Sequence, residues 1–285
     1  MTANIAIELA ITILISGSLF ALSAVGFTLV YRVTKIMHLA HGLVVLGSGY
    51  AFWWALARGA SLGFAVAFTI AVALACGWCM HTFVYERLRT RGSVATTMSL
   101  IATLALLVLG QNILLALFGS STRLVLVNEF LDVHTLVVSV SLGSVVVLGM
   151  LLRWSCLGKR MRAVADNPIA AEIVGIDSAR VRLSAMLLSA VVGAIAGILY
   201  AIEFNLDPSM GTEIAIRSFS RALIGGVGSL PGAVIGSFLI ESVEDLGAFF
   251  YSAGLKSVFS FVIVFIFLLV RPRGFFGGRQ HKEDV

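Results

Sequence analysis

A chain of 285 residues that is 59% hydrophobic and 12% charged, with a mean hydropathy of +1.01, has too little polar surface to close over a core in water. Water-soluble domains carry roughly 25% charged residues, whereas a bilayer accepts about 20 mostly apolar residues per helical span. The net charge of +5 is no sign of a nucleic-acid partner in such a chain, because its placement among the loops carries the information.

In chain order, apolar runs cover about 5–30, 39–57, 62–84, 94–118, 136–152 and 183–202, divided by polar loops. The first run follows an uncharged start and is longer than the apolar core of a cleavable signal. Asp207-Pro208 breaks the chain after the sixth run. The stretch 213–246 is interrupted by Arg217, Arg221 and a glycine-rich centre, and a last clean run covers 255–270. No loop is long enough for a soluble domain, so residues 1–285 read as one transmembrane domain.

The loops at 31–38, 85–93, 153–182 and 271–285 carry two, three, six and four of the twenty Lys and Arg residues. The opposite loops carry Arg58 and Arg123. Positive loops stay in the cytoplasm, so the N-terminus is expected outside and the basic tail 271–285 inside. Six spans return the chain to the outside near Asp207, and an odd number of crossings must follow. The expectation is an all-α polytopic bundle of about eight helices, within seven to nine, with a broken or re-entrant glycine-rich segment.

Three segments stand out. His38 and His41 share a helix face just before Gly42, and polar groups at such a boundary mark either a transport path or a helix anchor among headgroups. Gly225-Gly226-Val227-Gly228-Ser229-Leu230-Pro231-Gly232-Ala233 cannot be one continuous helix, since glycine favours other conformations and proline lacks a donor. It is either a break lining a path or a tight surface loop, with Pro231 opening the next helix and Gly232 and Gly236 on a packing face. In the third segment Asn167 reads as an N-cap, Pro168 as the first helical residue and Gly175 as the stop. The resulting two-turn helix shows an apolar side of Ile169, Ala170, Ile173 and Val174, to be covered by a partner protein or by the membrane surface.

Smaller features read as packing. Gln111 and Asn112 suit a bond to a neighbouring helix, with contact to a substrate as the alternative, and Gly193 and Gly197 suit close helix contact. Glu241, Glu244 and Asp245 suit an outer mouth, with Arg217 or Arg221 as partner. Cys76 and Cys79 have no second ligand pair to make a metal site. There is no phosphate loop, no His-Glu-x-x-His and no nucleophile elbow, so enzymatic activity, ATP hydrolysis included, is not expected of this chain.

The run from Gly17 to Tyr31, continuing through His38-Leu39-Ala40-His41-Gly42 to Gly47-Ser48-Gly49-Tyr50, resembles the opening of the branched-chain amino acid ABC transporter permeases, LivH-type subunits above all. The family has Asn-Phe where this chain has His38-Leu39. Arg162-Ala163-Val164-Ala165-Asp166-Asn167, then Ala170-Ala171 and Gly175-Ile176-Asp177, is similar to the family's ATPase-facing loop. The motif at 225–233 and the ending Arg271-Pro272-Arg273-Gly274-Phe275-Phe276-Gly277 complete four matches in family order.

The resemblance implies a permease subunit of an ABC importer in the inner membrane of a bacterium, moving leucine, isoleucine and valine by alternating access. It implies a second permease, two cytoplasmic ABC ATPases that bind the ATP, an external substrate-binding protein, and no cofactor or metal in this chain. By motif position Arg162, Asn167, Pro168, Ala170, Ala171 and Gly175 would form the ATPase-coupling loop within 153–182. His41, Gly42, Gly226, Gly228 and Pro231 would flank the translocation path. Relatives that carry urea, short amides or other small solutes keep the cargo open, and an ATPase-independent secondary transporter is the reading from outside the family.

Overall fold

The structure, a computed structural model, describes residues 2–89, 95–125, 132–271 and 274–276. Arg91, Asn128, Glu129, Pro272, Arg273 and the tail from residue 277 lie outside the described residues. The described residues form helices and no strand, apart from an isolated antiparallel pairing of Arg123 with Leu206.

The order is α1 (Thr2–Thr34), α2 (His41–Ala57), α3 (Leu62–Cys79), a π-helical turn (Met80–Tyr85) leading into α4 (Glu86–Arg89), α5 (Ala95–Phe118) and α6 (Val133–Trp154). Then follow α7 (Cys156–Asp166), α8 (Pro168–Ile173), α9 (Ser178–Glu203), α10 (Met210–Gly225), α11 (Leu230–Phe250) and α12 (Lys256–Val270). Polar side chains start several of them: Ser155 accepts from Gly158 N at 3.0 Å, Asp177 from Arg180 N at 3.0 Å and Ser229 from Gly232 N at 3.2 Å.

Helices α1, α3 with its π-turn, α5, α6 and α9 are long and apolar enough to cross a membrane. Helices α10 and α11 pass together but are bent by 113° at their break. With α2 and α12, shorter at 17 and 15 residues, the described residues hold nine membrane elements, the upper end of the expected range.

Helix α9 is the most enclosed span and α5 the most exposed. Glycine lets α9 reach its neighbours: a methyl group on Gly197 would strike the Val45 carbonyl of α2, and one on Gly77 of α3 would stand 3.0 Å from Ala190. Helix α1 packs against α9 on one side and α11 on another. The outward faces of α5 and α12, with Leu109, Ile113, Phe265 and Leu269, are the surface that acyl chains cover.

The two ends of the bundle differ in charge. Arg32, Arg89, Arg162, Arg182 and Arg271 gather at one end, the basic end. Arg58 and Arg123 lie at the other, stacked over Trp54 and Trp53 at 4.8 Å each.

Candidate functional site

At the basic end, α8 has the capping chemistry its sequence dictates. Asn167 Oδ1 accepts from Ile169 N and Ala170 N at 3.0 Å each, with Pro168 in the first turn. At the other end Ile176 N donates to Ala171 O at 2.9 Å and Gly175 N to Glu172 O at 3.0 Å, with Gly175 at φ +84. This pair of bonds around a left-handed residue closes the helix. Ala171 faces inward, while Ile169, Ile173 and Val174 stand 71%, 81% and 73% exposed.

Arg162 does a job that motif position did not disclose. Its guanidinium donates to the carbonyls of Leu152 and Arg153, capping the end of α6 and tying α7 to it. Gly158 permits the sharp turn, since any side chain there would enter the Leu152 carbonyl. The Ser178 hydroxyl donates to Pro168 O at 3.3 Å, so α8 is fastened to the first turn of α9. At the foot of α9, Arg182 reaches Glu86 at 3.1 Å. Thus α6, α7, α8, α9 and α4 form one braced unit.

The segment 35–40 does not stay at a membrane surface. It turns back into the bundle and α2 begins there. His41 packs against Gly26 of α1 and Gly193 of α9, and Gly193 lies about 22 Å from one end of its helix and about 15 Å from the other. His38 and His41 are both buried. His38 Nδ1 is 2.7 Å from the Tyr85 hydroxyl, which the π-turn presents. His41 Nδ1 is 3.3 Å from Ser189 Oγ, which itself donates to Gly26 O at 2.9 Å, while His41 Nε2 has no protein partner. The headgroup-anchor reading of the two histidines therefore fails on burial. Gly42 sits where a methyl group would stand 2.5 Å from Gly211 O, so α10 also begins at this depth. Pairing apolar periodicity with spacing could not reveal Tyr85, because the π-turn rotates the face of α3.

The glycine-rich break has the geometry of a tight turn at the basic end. Gly226 and Gly228 take φ +98 and +97, a region that suits glycine, and Gly228 lies beside Arg32. Pro231 stands in the first turn of α11. The backbones of Gly225 and Gly232 touch, and Gly236 lies against Arg221 O. Phe275 N and Phe276 N donate to Ile224 O and Gly225 O at 2.9 and 3.1 Å, so the chain's C-terminal segment caps α10.

The bend lays the charges of α10 against those of α11. Arg221 is 2.5 Å from Glu241 and 3.8 Å from Glu244, and Arg217 is 3.5 Å from Glu244 and 2.8 Å from Glu213. Lys256 of α12 lies 3.1 Å from Glu241 and 2.6 Å from Asp245. The Phe20 ring of α1 lies under Arg221, 4.0 Å from its centroid. Glu241, Glu244 and Asp245 are buried inside the bundle and form no outer mouth. The pairing with Arg217 and Arg221 expected from sequence is present, and Lys256 and Phe20 join it from spans that showed no such partnership in sequence. Outside the spans, Asp207 Oδ1 accepts from Ser209 N and Oγ at 2.8 and 2.6 Å, which holds its carboxyl below the usual carboxylate range.

The chain as a whole is similar to known proteins. The family model described as the branched-chain amino acid transport system permease component matches residues 9–270. The chain is 27% identical to the high-affinity branched-chain amino acid transport permease LivH of Escherichia coli, with 94% of each chain covered. It is likewise 27% identical to BraD of Pseudomonas aeruginosa over 94% of each chain. Among solved structures it resembles a chain of PsaBC from Streptococcus pneumoniae in complex with Fab, with a TM-score of 0.56 and 13% identity over 97% of this chain and 98% of that one. At that identity the likeness concerns the fold alone.

Proposed function

The chain belongs to the family of branched-chain amino acid transport system permease components, and on that premise we propose that it is the membrane-spanning subunit of an ABC importer for leucine, isoleucine and valine. It works in a complex with a second permease, two cytoplasmic ATPases and an external binding protein. The ATPases bind and hydrolyse the ATP. The complex lies in the cytoplasmic membrane of a bacterium, with this chain's N-terminus outside and its basic end in the cytoplasm.

The observation that carries the reading is α8. An exposed apolar face of Ile169, Ile173 and Val174 on a doubly capped helix needs a protein to cover it. We assign that face to the ATPase, with Arg162, Asn167, Pro168, Ala170, Ala171 and Gly175 holding the helix in shape. ATP binding draws the ATPases together and carries α8 with them. Because Arg162 and Ser178 brace α8 to α6 and α9, the pull moves spans instead of bending a loop. Alternating access follows when the two permeases rock against each other. His41 and Gly42 sit where α1, α2, α9 and α10 meet, and Gly226, Gly228 and Pro231 form the turn about which α10 and α11 rearrange.

Uptake of radiolabelled leucine in cells with and without this gene, the partner ATPase intact, tests the assignment. Uptake that falls on deletion and returns with the gene supports it. Unchanged uptake, in cells lacking another leucine importer, moves the cargo to other small organic solutes.

A further inference from the structure

At the depth where α2 begins, exposed polar side chains interrupt the apolar outer surface of the bundle. Gly110 of α5 packs on Leu43, and Gly211 of α10 packs on both Gly42 and Gln111, so these positions share one level. That level is about 22 Å from the start of α5 and about 12 Å from its end, well inside the hydrocarbon. Here Asn112 and Thr212 are exposed, and the Glu213 side chain is 48% exposed. Ionisable groups at such depth face a bundle interior or a water-filled cavity.

The polar groups are ordered. Gln111 Nε2 donates to Ser209 O at 2.8 Å, and the Thr212 hydroxyl donates to Gln111 Oε1 at 2.7 Å. The Glu213 carboxylate stands 2.8 Å from the Arg217 guanidinium, which is also held by the buried Glu244 at 3.5 Å. Arg217 therefore keeps an anion when Glu213 lets go, and Glu213 is the member of the pair that can turn outward.

We propose that Asn112, Thr212, Glu213 and Arg217 form this chain's wall of the hydrated path between the two permeases, and that the Glu213–Arg217 pair opens to take a zwitterion. Glu213 receives the cargo's ammonium and Arg217 its carboxylate, so one internal ion pair is exchanged for two to the cargo with no change in charge. A neutral solute gains nothing from opening the pair, which makes the pair a filter for amino acids. The inference rests on the importer reading above.

The test uses the complete complex in proteoliposomes. Uptake of labelled leucine is measured for the wild type, Glu213→Gln and Glu213→Asp, with ATP hydrolysis followed in parallel to report assembly. Glu213→Gln is expected to lower uptake about tenfold or more while hydrolysis persists, and Glu213→Asp to retain part of the uptake. Separately, Thr212→Cys, with Cys76, Cys79 and Cys156 replaced by serine, is treated with a membrane-impermeant cationic thiosulfonate. Modification from water, slowed by leucine, is the expected result. Glu213→Gln importing at the wild-type rate overturns the zwitterion role, and a Thr212→Cys that never reacts overturns the hydrated wall. A wild-type complex that imports no leucine sinks the cargo reading by itself, and the thiol reaction then still decides whether this face lines a path.

Discussion

Replacing Arg221 by Met removes one of three cations from a buried set that also holds three carboxylates, Glu241, Glu244 and Asp245. Taking one partner from a buried ion pair costs about 3–5 kcal/mol, a factor of roughly a hundred to a few thousand in the folded fraction. The low end applies here, because Lys256 remains 3.1 Å from Glu241 and Arg217 remains 3.5 Å from Glu244. Glu241→Gln alone is milder, since Arg221 falls back on Glu244 at 3.8 Å and Lys256 on Asp245 at 2.6 Å. The double variant Arg221→Met with Glu241→Gln restores equal numbers of buried cations and anions. Its loss should therefore be smaller than the sum of the single losses by about 1–3 kcal/mol. Thermal unfolding of the purified chain in detergent, followed by size-exclusion chromatography, measures all four proteins. Strict additivity would refute the claim that these charges stabilise one another across the break.

Gly175→Leu puts a side chain at φ +84, strains the end of α8 by about 1–2 kcal/mol and is expected to abolish transport while the protein still inserts. Fractionated membranes and a transport assay check both halves, and normal transport would remove α8 from the mechanism. Gly197→Leu drives a side chain into the Val45 carbonyl and separates α2 from α9. It is expected to lower the yield of folded protein in detergent by an overpacking cost of about 1–3 kcal/mol or more, whereas Gly143→Ala, which meets nothing within 4 Å, leaves the yield unchanged.

Span positions, the break and the caps of α8 were legible because each depends on neighbours in sequence. Apolar runs betray spans, Asn167 and Gly175 betray helix ends, and glycines around Pro231 betray a bend. What depended on distant partners was not legible. The depth of His41 follows from Gly26 and Gly193 making room for its ring, which no local pattern records. The acidic cluster at 241–245 looks like a polar rim in sequence and becomes interior only because the bend folds it onto Arg217 and Arg221. Arg162 sits in the motif region of the coupling loop, yet its bonds run back to the end of α6. The polar level at Asn112 and Glu213 was hidden for the same reason, since neither residue's depth can be read before α2 and α10 are placed.

The capping of α10 by Phe275 and Phe276 bears on the order in which the molecule is completed. A ribosome makes α10 well before the residues that finish it. The anions that neutralise Arg221 arrive on α11, and the amides that satisfy the carbonyls of Ile224 and Gly225 arrive some thirty positions later still, among the last described residues. Until synthesis reaches Glu241, α10 has an uncompensated cation, and until it reaches residue 276 it has an unfinished end. A chain cut between Val270 and Phe275 lacks the end cap of α10, even though every described span is already made.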